Sequence, residues 1–207
     1  MRTSRQERLN ELIRTDLPLW EKGIVFAGID EAGRGPLVGN VVAACVIMPR
    51  EPLLLYVDDS KKLSEKRREE VFEQIQKTAL FIGVGEASPE EIDEINILNA
   101  TKNAMRRAAQ EAPAELFLID ALSGLGLKGE ERGIIHGDAL CYSIAAASIV
   151  AKVTRDRQML LLDQEYPAYG FARNKGYGTK EHTEALRRLG PCPAHRRSFI
   201  GHFVSPA

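Results

Sequence analysis

Apolar runs of strand length alternate along the chain with longer amphipathic stretches of helical period. The runs end on turn residues or on carboxylates, as buried strands do. They predict four strands, at residues 23–30, 41–48, 80–87 and 116–120. The amphipathic stretches predict helices at residues 1–20 (ending near Pro18), 64–78, a short one from 89 followed by a longer one at 97–111, 139–165 and 179–189. Strands interspersed with helices in this way indicate a single α/β or α+β domain with a helical C-terminal part.

Three of the predicted helices begin with residues that cap helix N-termini. Ser64 and Thr179 each precede a helical stretch, and a hydroxyl at that position accepts a hydrogen bond from a free backbone N–H group. Ser88 is followed by Pro89 at the first helical position and by Glu91 three residues on, which is a capping signature. These signals predict where the helices start.

The composition, with 44% hydrophobic and 28% charged residues, is ordinary for a globular protein. The three cysteines are widely spaced and odd in number, which is typical of reduced cytosolic proteins. The N-terminus lacks a secretory h-region, and no apolar run approaches the roughly 20 residues of a membrane span. We therefore expect one domain covering residues 1–207, cytoplasmic, with no membrane contact and monomeric by default.

Charge is balanced overall but unevenly distributed. The chain carries 28 Lys and Arg against 29 Asp and Glu. Residues 152–207 carry 10 and 5 of these, so residues 1–151 carry 18 and 24. A basic C-terminal quarter beside an acidic body fits a phosphate-facing surface opposite a cation-binding pocket, although solvated charged faces give the same pattern.

Four acidic residues share a distinctive context. Asp30 with Glu31, and also Asp120, end predicted apolar strands, and Asp138 precedes a helix. If the two strands pair, Asp30 and Asp120 lie side by side, where carboxylates repel one another unless protonated or neutralised by a cation. Oxygen ligands without a His or Cys cluster favour Mg²⁺ or Mn²⁺. Two such ions can position an attacking water and stabilise the leaving oxygen of a phosphodiester, so we predict a metal-dependent nuclease site.

Two of these acids have alternative interpretations. Asp138 fits a simple helix cap equally well. Consecutive residues of a strand point to opposite faces, so Glu31 joins Asp30 only if the chain leaves strand geometry there. The glycines that follow make such a turn feasible.

Two glycine-bearing loops are candidate substrate contacts. The first two predicted strands, at 23–30 and 41–48, are expected to form an antiparallel hairpin with a long tip. Gly33, Arg34 and Gly35 lie in that tip and, taken alone, fit a flexible turn. Beside the carboxylates, the same tripeptide suggests backbone groups approaching a sugar, with Arg34 at a phosphate. Tyr177, in the loop at residues 174–180, fits either a core tyrosine or a platform on which a base or sugar stacks.

Several polar residues are candidate phosphate contacts or, equally, solvated surface residues. They are Ser60, Lys61, Lys62, Arg196 and Arg197. His136 and His182 are scattered, and local hydrogen bonding is favoured over metal ligation for both.

Motifs over most of the chain resemble those of bacterial ribonuclease HII. The matching segments are GIDEAGRGP at 28–36, DSKKL at 59–63, LID at 118–120, SIAAASIVAKV at 143–153, RD at 155–156, NKGY at 174–177 and HRRSF at 195–199. The resemblance implies a ribonuclease-H-like mixed sheet flanked by helices. It also implies that the C-terminal loop, helix and tail, about residues 165–207, help to hold the substrate.

The resemblance also implies an activity and a set of roles. Members of the family cleave RNA in RNA–DNA hybrids and incise on the 5′ side of single ribonucleotides in duplex DNA, leaving 3′-hydroxyl and 5′-phosphate ends. The implied metal ligands are Asp30, Glu31, Asp120 and Asp138. The implied sensor of the 2′-hydroxyl is Gly33-Arg34-Gly35, and the implied junction-stacking residue is Tyr177. The sequence does not predict whether the chain contacts a replication clamp.

Three other classes are less consistent with the motifs. A resolvase or integrase-like nuclease would share the acids but needs neither the glycine tripeptide nor Tyr177. A non-catalytic hybrid-binding module would gain nothing from clustered acids facing a polyanion. The sister ribonuclease HIII type replaces the arginine of the tripeptide and has a long N-terminal domain, whereas little more than one helix precedes Gly23 here.

Overall fold

The computed structural model describes residues 4–203 as a mixed sheet with helices on both faces. The strands are β1 (Phe26–Ala32), β2 (Val41–Ile47), β3 (Phe81–Ala87), β4 (Leu116–Asp120) and β5 (Glu130–Ile134). The helices are α1 (Arg5–Glu21), α2 (Glu65–Thr78), α3 (Pro89–Ala109), α4 (Gly137–Leu140), α5 (Tyr142–Glu165), α6 (Phe171–Asn174), α7 (Lys180–Leu189) and α8 (Arg197–Ile200). Short 3₁₀ turns lie at Ser60–Lys62 and Pro167–Tyr169. None of the helices within residues 4–203 is both long and apolar enough to cross a membrane.

The sheet has the order β3-β2-β1-β4-β5. The predicted hairpin is confirmed, because β1 and β2 pair antiparallel, and β2 pairs antiparallel with β3. On its other side, β1 pairs parallel with β4, with Ile29 opposite Ile119. Parallel pairing in this register brings the residues after each isoleucine, Asp30 and Asp120, to the same end of the sheet.

Alternation along the strands separates two buried layers. Ala27, Ile29 and Ala43 face α3, whereas the neighbouring positions face α5, with α1 and α2 outside it. A third apolar cluster joins Leu37 and Val38 to the C-terminal segment through Tyr169, Phe171 and Leu186. The C-terminal segment therefore packs on the loop that connects β1 to β2.

The sheet and α5 approach each other most closely at Gly28. A Cβ atom there would lie 2.2 Å from the carbonyl carbon of Ser143 and 2.4 Å from the backbone nitrogen of Ile144. We expect Gly28→Ala to lower the free energy of unfolding by about 3 kcal/mol, because backbone must move to admit the methyl group. Urea unfolding measures the effect. Gly201→Ala, where nothing lies within 4 Å, is the control and should be nearly neutral; equal midpoints for the two variants would contradict the close contact.

The sequence prediction missed β5 and misplaced some boundaries. The edge strand β5 carries Glu130, Glu131 and Arg132 and has no buried apolar face, so no periodicity marked it. Helix α1 does not end near Pro18 but continues to Glu21, and β1 begins at Phe26 and runs on to Ala32.

The predicted helix at residues 139–165 is divided. Cys141 has an extended backbone (φ −134°, ψ 126°), which separates the single turn α4 from α5. In the loop at residues 167–178, a 3₁₀ turn and α6 form. The two helices predicted from residue 89 and at 97–111 form one helix, α3, whose kink at Asn96 (φ 67°) marks the predicted division.

Candidate metal centre and substrate-contact loops

Three of the four predicted acids converge at the end of the central strands. One carboxylate oxygen from each of Asp30, Asp120 and Asp138 lies within 4.8 Å of the others. The first two reach this point from the adjacent parallel strands β1 and β4, and the third comes from α4. An Oδ1 atom of Asp120 accepts a hydrogen bond of 2.8 Å from the Gly137 N–H group, which ties the strand end to α4.

Glu31 lies beside this cluster and is not one of its three members. The chain keeps strand geometry through Ala32, with Glu31 paired to Ala43, so its side chain leaves the strand on the other face from Asp30. Its carboxylate is 3.4 Å from the Arg34 guanidinium. It still belongs to the same electrostatic site, since its charge raises the pKa of Asp30.

Burial and mutual repulsion make the cluster costly as three anions. The pKa of Asp30 is raised well above its ordinary value by burial and then by the charges of Glu31 and Asp120. Burial also raises the pKa of Asp120. The Lys61 ammonium, 3.2 Å from an Asp138 oxygen, offsets part of the negative charge. Clustered carboxylate oxygens, with raised pKa values at Asp30 and Asp120, fit a hard divalent cation, which would neutralise them.

A buried acid on α1 fixes the start of α5, next to the turn that carries Asp138. Asp16 is fully buried and accepts hydrogen bonds from the backbone N–H groups of Tyr142 and Ser143 and from the Ser143 hydroxyl, at 2.6 to 3.1 Å. It therefore caps α5 from another helix, at the break that separates Asp138 from α5. The sequence offered no local signal for this, because the cap residue is over 120 positions away.

The glycine loop, residues 33–40, continues directly from β1. Gly33 has φ +97°, and a Cβ there would lie 2.1 Å from Arg155 Nε, so only glycine fits. A Cβ on Gly35 would lie 3.7 Å from Cε1 of Tyr177. The tripeptide and the tyrosine ring thus face each other.

The tyrosine loop, residues 175–178, presents its ring to solvent. Tyr177 is 47% exposed, so it is not a core tyrosine. Its backbone is fixed, since its N–H group donates to the Asn174 carbonyl and its carbonyl accepts from His182 Nδ1, both at 2.9 Å. The ring is therefore accessible to a ligand, whereas the backbone that carries it is fixed by these two hydrogen bonds.

Two buried histidines, His182 and His195, continue the hydrogen-bonded support of the tyrosine loop into the interior. The Cys192 N–H group donates to His195 Nδ1 at 3.0 Å, which leaves the His195 proton on Nε2, 3.2 Å from His182 Nε2. Burial lowers both histidine pKa values, that of His195 to about 4, so both rings are neutral near pH 7. His182 Nδ1–H then donates to the Tyr177 carbonyl. The prediction that His182 serves local hydrogen bonding is confirmed.

The remaining predicted phosphate contacts differ in how exposed their side chains are. Lys61 is largely exposed beside Asp138, whereas Ser60 is buried with its hydroxyl 2.9 Å from that of Ser148. Arg196 is neither a solvated residue nor placed to reach a phosphate: it is 0% exposed, beneath the glycine loop. Sequence reasoning missed this because arginine is rarely buried, and its partners are backbone carbonyls far along the chain.

A mixed sheet with carboxylates gathered at the ends of adjacent central strands defines a metal-dependent nuclease of the ribonuclease-H-like fold. The family profile of ribonuclease HII matches residues 27–202. The chain belongs to the ribonuclease HII family. Enzymes of this family are metal-dependent hydrolases that cleave RNA in RNA–DNA hybrids.

Individual relatives agree with this assignment. The chain is 56% identical to ribonuclease HII of Desulfitobacterium hafniense (strain Y51), over 93% of this chain and 75% of the relative. It is 52% identical to ribonuclease HII of Caldanaerobacter subterraneus subsp. tengcongensis, over 94% and 82%. Among solved structures, the PCNA:RNase HII complex of Archaeoglobus fulgidus superposes with a TM-score of 0.75 at 29% identity, over 88% of this chain and 98% of that one.

Proposed function

We propose that this protein, besides cleaving RNA in hybrids, incises duplex DNA on the 5′ side of single embedded ribonucleotides and leaves 3′-hydroxyl and 5′-phosphate ends. One observation carries the proposal: Gly35 faces the exposed ring of Tyr177 immediately beyond the strand that bears Asp30. A cutting site and two surfaces able to contact neighbouring sugars are thus held a few residues apart.

We assign metal binding to Asp30, Glu31, Asp120 and Asp138, with Mg²⁺ or Mn²⁺ as the ion. Bound divalent ions supply an activated water and stabilise the leaving oxygen of the phosphodiester. The strands β1 and β4 hold the first and third of these carboxylates in register, and α4 presents the fourth. Lys61, exposed beside Asp138, is suited to contact a backbone phosphate of the substrate.

Discrimination between ribose and deoxyribose needs contacts other than the metal site, because hydrolysis itself is the same for any phosphodiester. The backbone at Gly33-Arg34-Gly35 is suited to bond a 2′-hydroxyl, which only ribose presents. The Tyr177 ring is suited to pack on the following sugar, where a second hydroxyl would clash. Two contacts on opposite sides of one linkage would together select an RNA–DNA junction.

The C-terminal segment and Ser60 are the remaining predicted parts of the substrate-binding surface. The C-terminal segment from about residue 165 packs on the glycine loop, which supports a part in holding the duplex. Ser60 remains a predicted contact, although its hydroxyl is directed at Ser148. The expected setting of a cytoplasmic monomer stays a prediction.

Mapping the incision site tests the proposal. A duplex with one ribonucleotide, labelled at either end, should be cut once, 5′ to the ribonucleotide, with Mg²⁺ or Mn²⁺, and EDTA should abolish cutting. An all-DNA duplex is the control and should stay intact. Cleavage of a continuous hybrid together with no incision at the single ribonucleotide would reject the proposal while leaving the family's hybrid activity in place.

A further inference from the structure

Arg196 forms the interior of the glycine loop. Its Nε donates to the Gly39 carbonyl at 2.9 Å, and its Nη1 to the carbonyls of Arg34 and Pro36 at 3.0 and 2.8 Å. Its Nη2 donates to the carbonyls of Gly33 and Gly39, both at 2.7 Å. These five hydrogen bonds match the five N–H groups of a guanidinium, so the side chain is fully satisfied by backbone.

Arg155 joins the glycine loop to the tyrosine loop. Its Nη1 donates to the Lys175 carbonyl at 3.0 Å and its Nη2 to the Val38 carbonyl at 3.1 Å. Its Nε is 3.3 Å from the Asn40 carbonyl. The two loops are also tied directly, since the Leu37 N–H group donates to the Gly176 carbonyl at 2.8 Å.

The burial of both arginine side chains is energetically unfavourable. Their exposures are 0% and 1%, and within residues 4–203 neither forms an ion pair with a carboxylate. Burial and the charge of Arg155 lower the pKa of Arg196 to about 9, which leaves it a cation at neutral pH. Burying a charge without a partner of opposite sign is unfavourable in general, and apolar packing would fill the same space at a lower free-energy cost.

What the buried Arg196 provides is a fixed direction for the peptide groups of the glycine loop. In a planar trans peptide the carbonyl and the following N–H group point in opposite directions. Drawing the carbonyls of Gly33 and Arg34 inward to Arg196 therefore aims the N–H groups of Arg34 and Gly35 outward. Within the described part of the chain, neither of these amides donates a hydrogen bond. They face away from Arg196 as a pair of free donors.

We propose that Arg196 and Arg155 are positioning residues for junction recognition: Arg196 aims the amides of the glycine tripeptide, and Arg155 locks the glycine and tyrosine loops into one rigid reader. Neither arginine touches substrate in this scheme. The inference rests on the proposed function, because the tripeptide and Tyr177 are taken as the two reading surfaces.

Arg196→Lys tests the proposal with charge and most of the volume retained. A lysine ammonium has three donors at one point and cannot reach four carbonyls spread around a guanidinium. We expect incision at a single ribonucleotide to fall by about 100-fold, and cleavage of a long continuous hybrid by less than about 10-fold, since the hybrid offers many more phosphate contacts. Met105→Ala, which empties part of the core between α3 and the sheet, is the control for lost stability and should leave the ratio of the two activities unchanged.

Arg196→Ala supplies a second readout that a role in stability alone would not produce. Guanidinium at millimolar concentration should restore junction incision in this variant, whereas sodium chloride at equal ionic strength should not. Equal loss on both substrates, or no rescue in a variant whose circular dichroism is native, would overturn the inference. A wild-type protein unable to incise at single ribonucleotides would instead overturn the proposed function, and this inference with it.

Discussion

Asp30→Asn will abolish cleavage of both hybrid and ribonucleotide-containing duplexes, by at least about 10³-fold, while making the metal-free protein more stable. Asparagine keeps the shape of the side chain but removes its negative charge. The cluster needs the charges of all three carboxylates to attract a divalent ion. It also removes a buried anion held against Glu31 and Asp120. Loss of activity together with a gain of stability is the signature of a functional site that is strained without its ligand.

The sign of the pH dependence follows from the raised pKa of Asp30. A carboxyl whose pKa is higher in the folded than in the unfolded protein binds more protons when folded, so its stabilising contribution is present at acidic pH and is lost as pH rises through the folded value. In EDTA, the wild-type melting temperature should fall below that of Asp30→Asn least at acidic pH and furthest at pH 8. Adding Mg²⁺ at pH 8 should raise the wild-type melting temperature and leave the variant unchanged.

Controls separate this effect from a general change of charge. Glu130→Gln removes an exposed acid on the edge strand and should alter neither activity nor the Mg²⁺ response. Asp16 also has a raised pKa, but it is present in both proteins and cancels in the comparison. Wild-type rates in Asp30→Asn with Mg²⁺ would show that the carboxylate cluster is not the cutting site.

Tyr177→Ala will lose incision at single ribonucleotides by about 10- to 100-fold, a loss in the range of about 1–3 kcal/mol that an aromatic side chain contributes per stacked base. The fold should not suffer, because the ring is 47% exposed and the backbone of the loop is held by Asn174 and His182. Cleavage of long hybrids should fall less, because other phosphate contacts position that substrate. Single-turnover rates on the two substrates measure the split.

Two further variants make this result specific. Tyr177→Phe keeps the ring and should retain most junction incision, which separates stacking from any role of the hydroxyl. Tyr56→Ala removes another tyrosine, which packs under Arg67 of α2, and should leave the substrate ratio unchanged. If Tyr177→Ala incises single ribonucleotides as fast as wild type, the stacking role is wrong.

Much of the site could be predicted from sequence because its signals are local. Apolar runs that end on Asp30 and on Asp120 identified two strands and the acids at their ends, and parallel pairing then made the two acids neighbours. Ser64, Ser88 and Thr179 do cap the helices they were expected to start. Each of these signals lies within a few residues of the structure it specifies.

What could not be predicted depends on groups that are distant along the chain. Strand β5 is defined by hydrogen bonds to β4 and not by its own polar sequence. The direction of Glu31 depended on whether the strand continued through it, which the pairing with β2 decided. Asp16, on the first helix, caps the start of α5 just after the turn that carries Asp138.

The sequence by itself determined the main strands, the acids at their ends and the glycine tripeptide beside them, because periodicity, strand termini and glycine conformations are properties of short segments. Only the tertiary structure decided which side chains fix the positions of those elements relative to one another. Arginine usually lies at the surface, but Arg155 and Arg196 are buried because backbone carbonyls satisfy them. For Arg196 and for two of the three carbonyls around Arg155, these lie more than 100 positions earlier in the chain. Burial of a charge is a property of its surroundings in space, and no local pattern encodes it.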